Sequence, residues 1–299
     1  MLRAPRSATL ILLCALVGCG AAAGSGLDDA TGAESGDVVD SGDVTGAAEA
    51  DPSEPLFTLP LDGALPLRDP MTAWRFDRAL DAALARCVGD AGAALEVPDR
   101  PQPSSPWVHE RRYGAMRPDD AARWGYRPAP VDGVDALLAA QAAIGPDARA
   151  ALDGVGDEPG CLDIVGGEVA LRDDPRWSSF LAVESMLNST LDAAAEQAPV
   201  QEAIDRWSDC LHDATGRRFA HPAAPLSVFV DGDEADAEER LVASADAVCK
   251  HSVGLIESWA AEESRLQEAL LADQDDLVAE AMALQSDILA AVDAIESRE

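Results

Sequence analysis

The stretch "WVHERRYG", residues 107 to 114, carries the densest group of reactive side chains in this protein. Trp107, Glu110, Arg111, Arg112 and Tyr113 crowd together there between prolines. Planar guanidinium forks suit bidentate recognition of carboxylates. The group therefore reads as a recognition loop for an acidic peptide or cell-wall component, or as two arginine anchors that tie a long loop to acids of neighbouring helices. No other spacing names a reaction. GxSxG, P-loop, HExxH and GxGxxG patterns are all missing from the sequence. His109, His212, His221 and His251 are scattered, so a site built from them has to be assembled in space. The run "DGDEADAEE" from Asp231 lacks the sixth-position glycine of a calcium loop and reads as a helix start, where acids complement the helix dipole. These patterns call for no metal, no cofactor and no catalytic residue.

The elements that must position this group are helical. Asp69-Pro70 offers a cap and a first-turn proline, and Trp74, Phe76, Leu80, Leu84, Cys87 and Val88 follow on one helical stripe that ends near Gly92. The proline-rich passage from Pro98 to Pro130 predicts an extended, surface-wrapped segment with a short helical turn after Asp119. Helices are expected over about 132–144, 146–152 and 175–197. Another runs from Pro199 to Gly216, and the pattern from about 234 to 299 is helical again. Leu277, Ala281, Leu284, Ile288, Ala291 and Ile295 alternate by four and three, a seam able to pack on a partner helix or a second copy. Trp74, Trp177, Trp207 and Trp259 lie on helical stripes and are expected in the core. The fold class is all-α: an irregular helical domain with a long C-terminal helix.

The N-terminus predicts an address. Met1 to Arg6 carries two arginines, an apolar run follows to Val17, and Leu16-Val17-Gly18-Cys19 resembles the bacterial lipobox, in which the cysteine is acylated and becomes the mature N-terminus. Residues 1–18 then form a lipoprotein signal peptide. Residues 19–54 form a disordered acidic tether with nine acids and no base, unable to bury enough apolar surface to order itself. Residues 55–299 form an extracytoplasmic domain on the outer face of the cell membrane, held there through lipid on Cys19.

Charge and cysteine usage agree with that address. The 299 residues carry 22 basic and 55 acidic side chains, a formal charge of −33 that argues against nucleic acid or anionic lipid as partner. Lysine occurs once, at Lys250. With Cys14 removed and Cys19 lipidated, Cys87, Cys161, Cys210 and Cys249 remain, an even number suited to two disulfides, although four cysteines allow three connectivities. A weak repeat, "CVGDAGAALEVP" against "CLHDATGRRFAHP", places a cysteine late in each of two helices, with one further cysteine downstream of each. It suggests pairing Cys87 with Cys161 and Cys210 with Cys249.

Four blocks also carry a resemblance. "WVHERRYGAMRPDDAARWGYRP", "PGCLDIVGGEVAL", "DRWSDCLHDATGRRFAHP" and "ASADAVCKHSVGLIESWAAEESRLQEAL" stand in this order between residues 107 and 270. They are similar to the Glu-Arg-Arg-Tyr-Gly box, Gly-Cys box, Trp-x-x-Cys helix and Ala-Asp-x-x-Cys-Lys helix of an uncharacterised family of exported, often lipid-anchored actinobacterial proteins. The resemblance spans about residues 70 to 275 and implies export and paired cysteines, without an activity. Extra residues at Asp163 to Gly167 depart from the compact pattern and put the helix after Cys161 in doubt.

Two functions fit. One is a non-catalytic envelope component that binds a protein or cell-wall partner through the Trp107 to Tyr126 loop or the C-terminal helix. The other is a wall-modifying hydrolase with a site assembled in space, which a cleft joining a histidine to acids of displaced pKa would favour. Mass spectrometry of the mature N-terminus is expected to find acylated Cys19, and Cys19→Ser is expected to leave the membrane fraction; an unmodified N-terminus elsewhere refutes the anchor.

Overall fold

The computed structural model describes residues 54–229 and 234–298. Cys19, the leader, the linker up to Ser53 and the pair Asp231 and Asp233 lie outside the described residues. Within them the fold is all-helical: two 3-10 turns, Pro60–Ala64 and Pro66–Arg68, precede eleven α-helices. These are α1 Pro70–Asp90, α2 Pro118–Trp124, α3 Val134–Ala142, α4 Pro146–Asp153, α5 Cys161–Glu168, α6 Trp177–Ala195, α7 Ala198–Thr215, α8 Ala224–Phe229, α9 Ala237–Ser252, α10 Leu255–Asp273 and α11 Asp275–Glu296. No helix among the described residues is long and apolar enough to cross a membrane.

Local chemistry sets most of the boundaries. Asp69 Oδ1 accepts the Thr72 backbone N–H at 2.8 Å and starts α1, with Pro70 in its first turn. Asp236 does the same for α9 through Glu239 N at 2.7 Å, so the acidic run does open a helix. Gly216, at φ 73, closes α7. The helical stretch expected from 234 to 299 is not one rod. Gly254 at φ 71 adopts the left-handed conformation that glycine takes without steric cost, and the chain turns there between α9 and α10, then again at Gln274. α5 does form after Cys161, with Gly166 and Gly167 inside it.

Two apolar clusters make the core. The first gathers Phe76, Ala79, Leu84 and Val88 of α1, Val165 of α5, Phe180, Val183 and Leu187 of α6, and Ala281, Leu284, Ile288, Val292 and Ile295 of α11. The C-terminal seam is therefore filled by α1 and α6 of its own chain, which pack against α11. The second cluster joins Trp207 and Leu211 of α7, Val242 and Ala247 of α9, and Ile256 and Trp259 of α10. It also takes in Tyr113, Met116, Ala121 and Tyr126, all 3 % exposed or less. The proline-rich passage is thus not wrapped over the surface along its length. Its middle is inserted into the core, because α2 packs against α9 and the two tyrosines bring large apolar area inward. Trp207 and Trp259 are buried as expected, whereas Trp74 and Trp177 are half-buried, with their indole N–H groups donating to the carbonyls of Arg100 and Leu171 at 3.0 Å.

Two buried glutamines tie the entering chain to the C-terminal helices. Gln267 of α10 accepts the Leu61 N–H at 3.0 Å. Gln285 of α11 accepts from Leu67 N at 3.1 Å and donates to Ala64 O at 2.8 Å. Each amide gives a buried backbone group the partner that a short 3-10 turn leaves unmade.

Cys87 is bonded to Cys161 and Cys210 to Cys249, with Cα separations of 5.7 and 5.8 Å. The first joins α1 to α5 and the second joins α7 to α9. Disulfides of this kind belong to an oxidising, extracytoplasmic compartment. They span sequence separations of 74 and 39 residues, and the loop-entropy relation gives upper values of about 4.5 and about 4 kcal/mol. Peptide mapping without reductant is expected to recover these two links, and Cys210→Ser with Cys249→Ser is expected to lower the unfolding free energy by up to about 4 kcal/mol. Crossed links or four free thiols would contradict the packing of α7 on α9.

Candidate functional site

The arginine-rich box is mostly a structural device. Arg112 turns inward to Glu263 of α10, whose carboxylate is fully buried; its Nε lies 3.0 Å from both carboxylate oxygens and its Nη2 also donates to Oε1. Nη2 reaches the Leu187 carbonyl of α6 at 2.5 Å as well. Tyr113 donates its hydroxyl to Glu263 Oε2 at 2.9 Å, and burial, reinforced by that carboxylate, holds the phenol well above its ordinary pKa. Gln267 Nε2 and Thr190 Oγ1, each 3.1 Å from Oε1, complete the shell. A buried carboxylate is tolerated only with such a set of charged and hydrogen-bonding partners. Arg111 is exposed, with its guanidinium donating to the Tyr126 and Arg127 carbonyls of the same segment. Arg112 therefore ties the long loop to a helix acid, whereas Arg111 bonds carbonyls within the same segment and reaches no helix acid.

A second buried pair holds the rest of that segment. Lys250 and Asp246, one turn apart on α9 and both fully buried, meet at 3.0 Å. Lys250 Nζ also donates to Ala115 O at 3.0 Å, and Trp207 Nε1 donates to Asp246 at 2.7 Å. Burial pushes the lysine pKa down and the aspartate pKa up, against their mutual attraction. Gly114, at φ 85, is required here: a Cβ would stand 3.0 Å from the Lys250 amine. Gly125, at φ 63, likewise lets the chain pass Glu239, which accepts the Tyr126 N–H at 3.0 Å and pairs with Arg127.

Two of the five candidate side chains, Trp107 and Glu110, line an open cleft. They share this cleft, of about 290 Å³, with Phe57, Asp62, Arg68, Asp69 and His109. The loop supplies one wall; the other comes from the segment that enters the domain at Pro55 and from the 3-10 turns. Phe57 is stacked between His109 and Tyr113, with ring centroids 5.3 and 4.9 Å away, and Tyr113 stacks in turn on Trp259 at 4.8 Å. This column of four rings carries the position of the buried Glu263 cluster out to the cleft. His109, 6 % exposed, bonds Asp62 at 2.7 Å, and Asp62 also accepts the Leu59 N–H at 2.7 Å. Glu110 accepts from Arg117 Nε at 2.5 Å and from Ser105 Oγ at 3.2 Å. Arg68 pairs with Glu184 at 2.5 Å, while its Nε is buried without an acceptor.

No group of histidine, cysteine and acidic side chains capable of holding a metal ion occurs among the described residues. No protein-family model, curated protein or solved structure matches the chain. The residues that sequence reasoning passed over are Glu263, Glu239, Asp62, Gln267 and Gln285, the distant partners of the box and of the entering segment. A signal existed for one: Glu263 stands four residues after Trp259 on the same helical stripe, where a charge has to be paired.

Replacing Arg112 by methionine strands the Glu263 charge and is expected to cost about 3–5 kcal/mol in urea unfolding. The double change Arg112→Met with Glu263→Leu is expected to recover much of that loss. A cost below about 1 kcal/mol for the single change would show that water reaches Glu263.

Proposed function

We propose that this protein is a lipid-anchored, extracytoplasmic, non-catalytic binding component of a bacterial envelope, and that its partner, an envelope protein or wall component, is held in the cleft between Phe57 and Trp107. One observation carries the reading: an aromatic cleft lies where the chain passes from the acidic segment into the domain, and its walls are fixed by a buried ion cluster. Rigid aromatic surface at the mouth of a cleft is the commonest anchor for a partner. The lipobox at Cys19, the two disulfides and the four-block resemblance to exported actinobacterial proteins support the address.

The second reading, a wall-modifying hydrolase, rests on the Asp62 and His109 pair in the same cleft. His109 lies flat on Phe57, at an interplanar angle of 4°, and is almost fully covered, a placement that suits a wall-forming ring better than a base that must meet substrate.

A photo-crosslinking amino acid at Thr58, exposed in the cleft lining, is expected to capture a discrete partner in the native membrane. Trp107→Ala should abolish the adduct, and the same probe at exposed Leu138 should not form it. Equal capture from both positions, or capture insensitive to Trp107, refutes the cleft as the binding site. Loss of a wall-hydrolysing activity in His109→Gln would transfer the assignment to the second reading.

A further inference from the structure

Resting on the cleft reading, we propose that the occupant is a basic segment of a partner polypeptide, a lysine or arginine side chain whose aliphatic stem lies against Trp107 and meets Phe57 at its ring edge, since His109 and Tyr113 cover both faces of that ring. The argument begins with what the arginine box no longer offers. Arg112 is consumed by Glu263 and Arg111 by two carbonyls, so the acidic ligand that the box invites has no free guanidinium fork to meet. The charged groups in the cleft wall are Asp62, Asp69, Glu110, Arg68 and His109; Arg68 is paired with Glu184 and Glu110 with Arg117, while Asp62 is bonded to His109, which leaves Asp62 and Asp69 as the carboxylates without an arginine or lysine partner among the described residues. Asp69 makes no ion pair among the described residues; one of its oxygens takes both bonds of the α1 cap, from Thr72 N and Thr72 Oγ1 at 2.8 Å. The balance of the lining is negative, and the whole chain carries −33.

Such a site attracts cations in two ways. The field of a strongly acidic protein speeds the approach of a basic partner. At close range a cation gains from ring faces as well as from carboxylates, and long basic side chains bury their methylenes on apolar surface while keeping the charged head among polar groups. Asp62, Asp69 and Glu110 are each held by hydrogen bonds from the protein, and a carboxylate retains further acceptor capacity beyond those bonds. Pre-oriented acceptors lose little freedom when a ligand arrives.

The test uses the full mature chain and four defined probes: acetyl-Ala-Leu-Arg-Leu-Ala-amide, the same peptide with citrulline or glutamate in place of arginine, and a chitotetraose oligosaccharide. Titration calorimetry in low salt is expected to show binding of the arginine peptide and a loss of about tenfold or more with citrulline. Asp69→Asn, which keeps a capping side chain but removes the charge, should weaken the arginine peptide severalfold and flatten its salt dependence. Trp107→Leu should abolish binding while the far-ultraviolet circular dichroism stays unchanged. Preference for the glutamate peptide, preference for the oligosaccharide, or no binding of any probe overturns the basic occupant. If the Thr58 adduct still depends on Trp107 in that case, the cleft stands as the binding site and only its ligand class falls; if the adduct is lost too, both readings fall.

Discussion

The Glu263 carboxylate, fully buried inside α10, is the constraint on which the surrounding architecture depends. An ionised group without access to water is stable only when donors converge on it from fixed positions. Those donors come from three separate parts of the chain: Arg112 and Tyr113 from the proline-rich passage, Thr190 from α6 and Gln267 from α10 itself. Gln267 then holds Leu61 of the entering segment. One carboxylate thus brings together the loop, two helices and the entrance of the domain, which otherwise share little local sequence.

The same logic repeats around it at Asp246 with Lys250, and at Glu239 with Arg127. At Glu239 the loop supplies the Tyr126 N–H and the Arg127 guanidinium to a buried helix acid, and at Asp246 the helix supplies both charges while the loop's Ala115 carbonyl accepts from Lys250. A loop of this length has few regular backbone hydrogen bonds of its own, so buried charge replaces a helical ladder as the source of its definite conformation. Breaking one partner of such a pair costs more than making the pair gains, because it leaves the other charge buried and unpaired. The paired arrangement sets Trp107, His109 and Glu110 against Phe57 and forms the cleft. The aromatic column from Trp259 through Tyr113 to Phe57 and His109 gives the cleft wall the stiffness of the core.

The same buried chemistry uses residues from several separate stretches of the sequence. The Glu-Arg-Arg-Tyr-Gly box meets Glu263, the Trp-x-x-Cys helix supplies Trp207 to Asp246 and Cys210 to Cys249, and the Ala-Asp-x-x-Cys-Lys helix supplies Asp246 and Lys250. Gly160 precedes the cysteine that bonds Cys87, in a place where a Cβ would stand 2.2 Å from the Leu152 carbonyl.

By itself the sequence determined the helical class, most helix limits and the even set of cysteines. These are readable because apolar period, capping aspartates, first-turn prolines and terminal glycines act within a few residues of one another. Asp69, Pro199 and Gly216 mark helix limits by such rules, and the repeated cysteine-bearing helix ends indicate the pairing that the structure contains. Only the tertiary structure decided which acid receives Arg112, that the loop's tyrosines lie inside, that α11 packs on α1 and α6, and that Trp107 and Phe57 line one cleft. Each of those contacts joins residues 50 or more positions apart. Local spacing carries no record of such partners, because any of the 55 acids could in principle meet a given arginine and only the packing of the helices selects one.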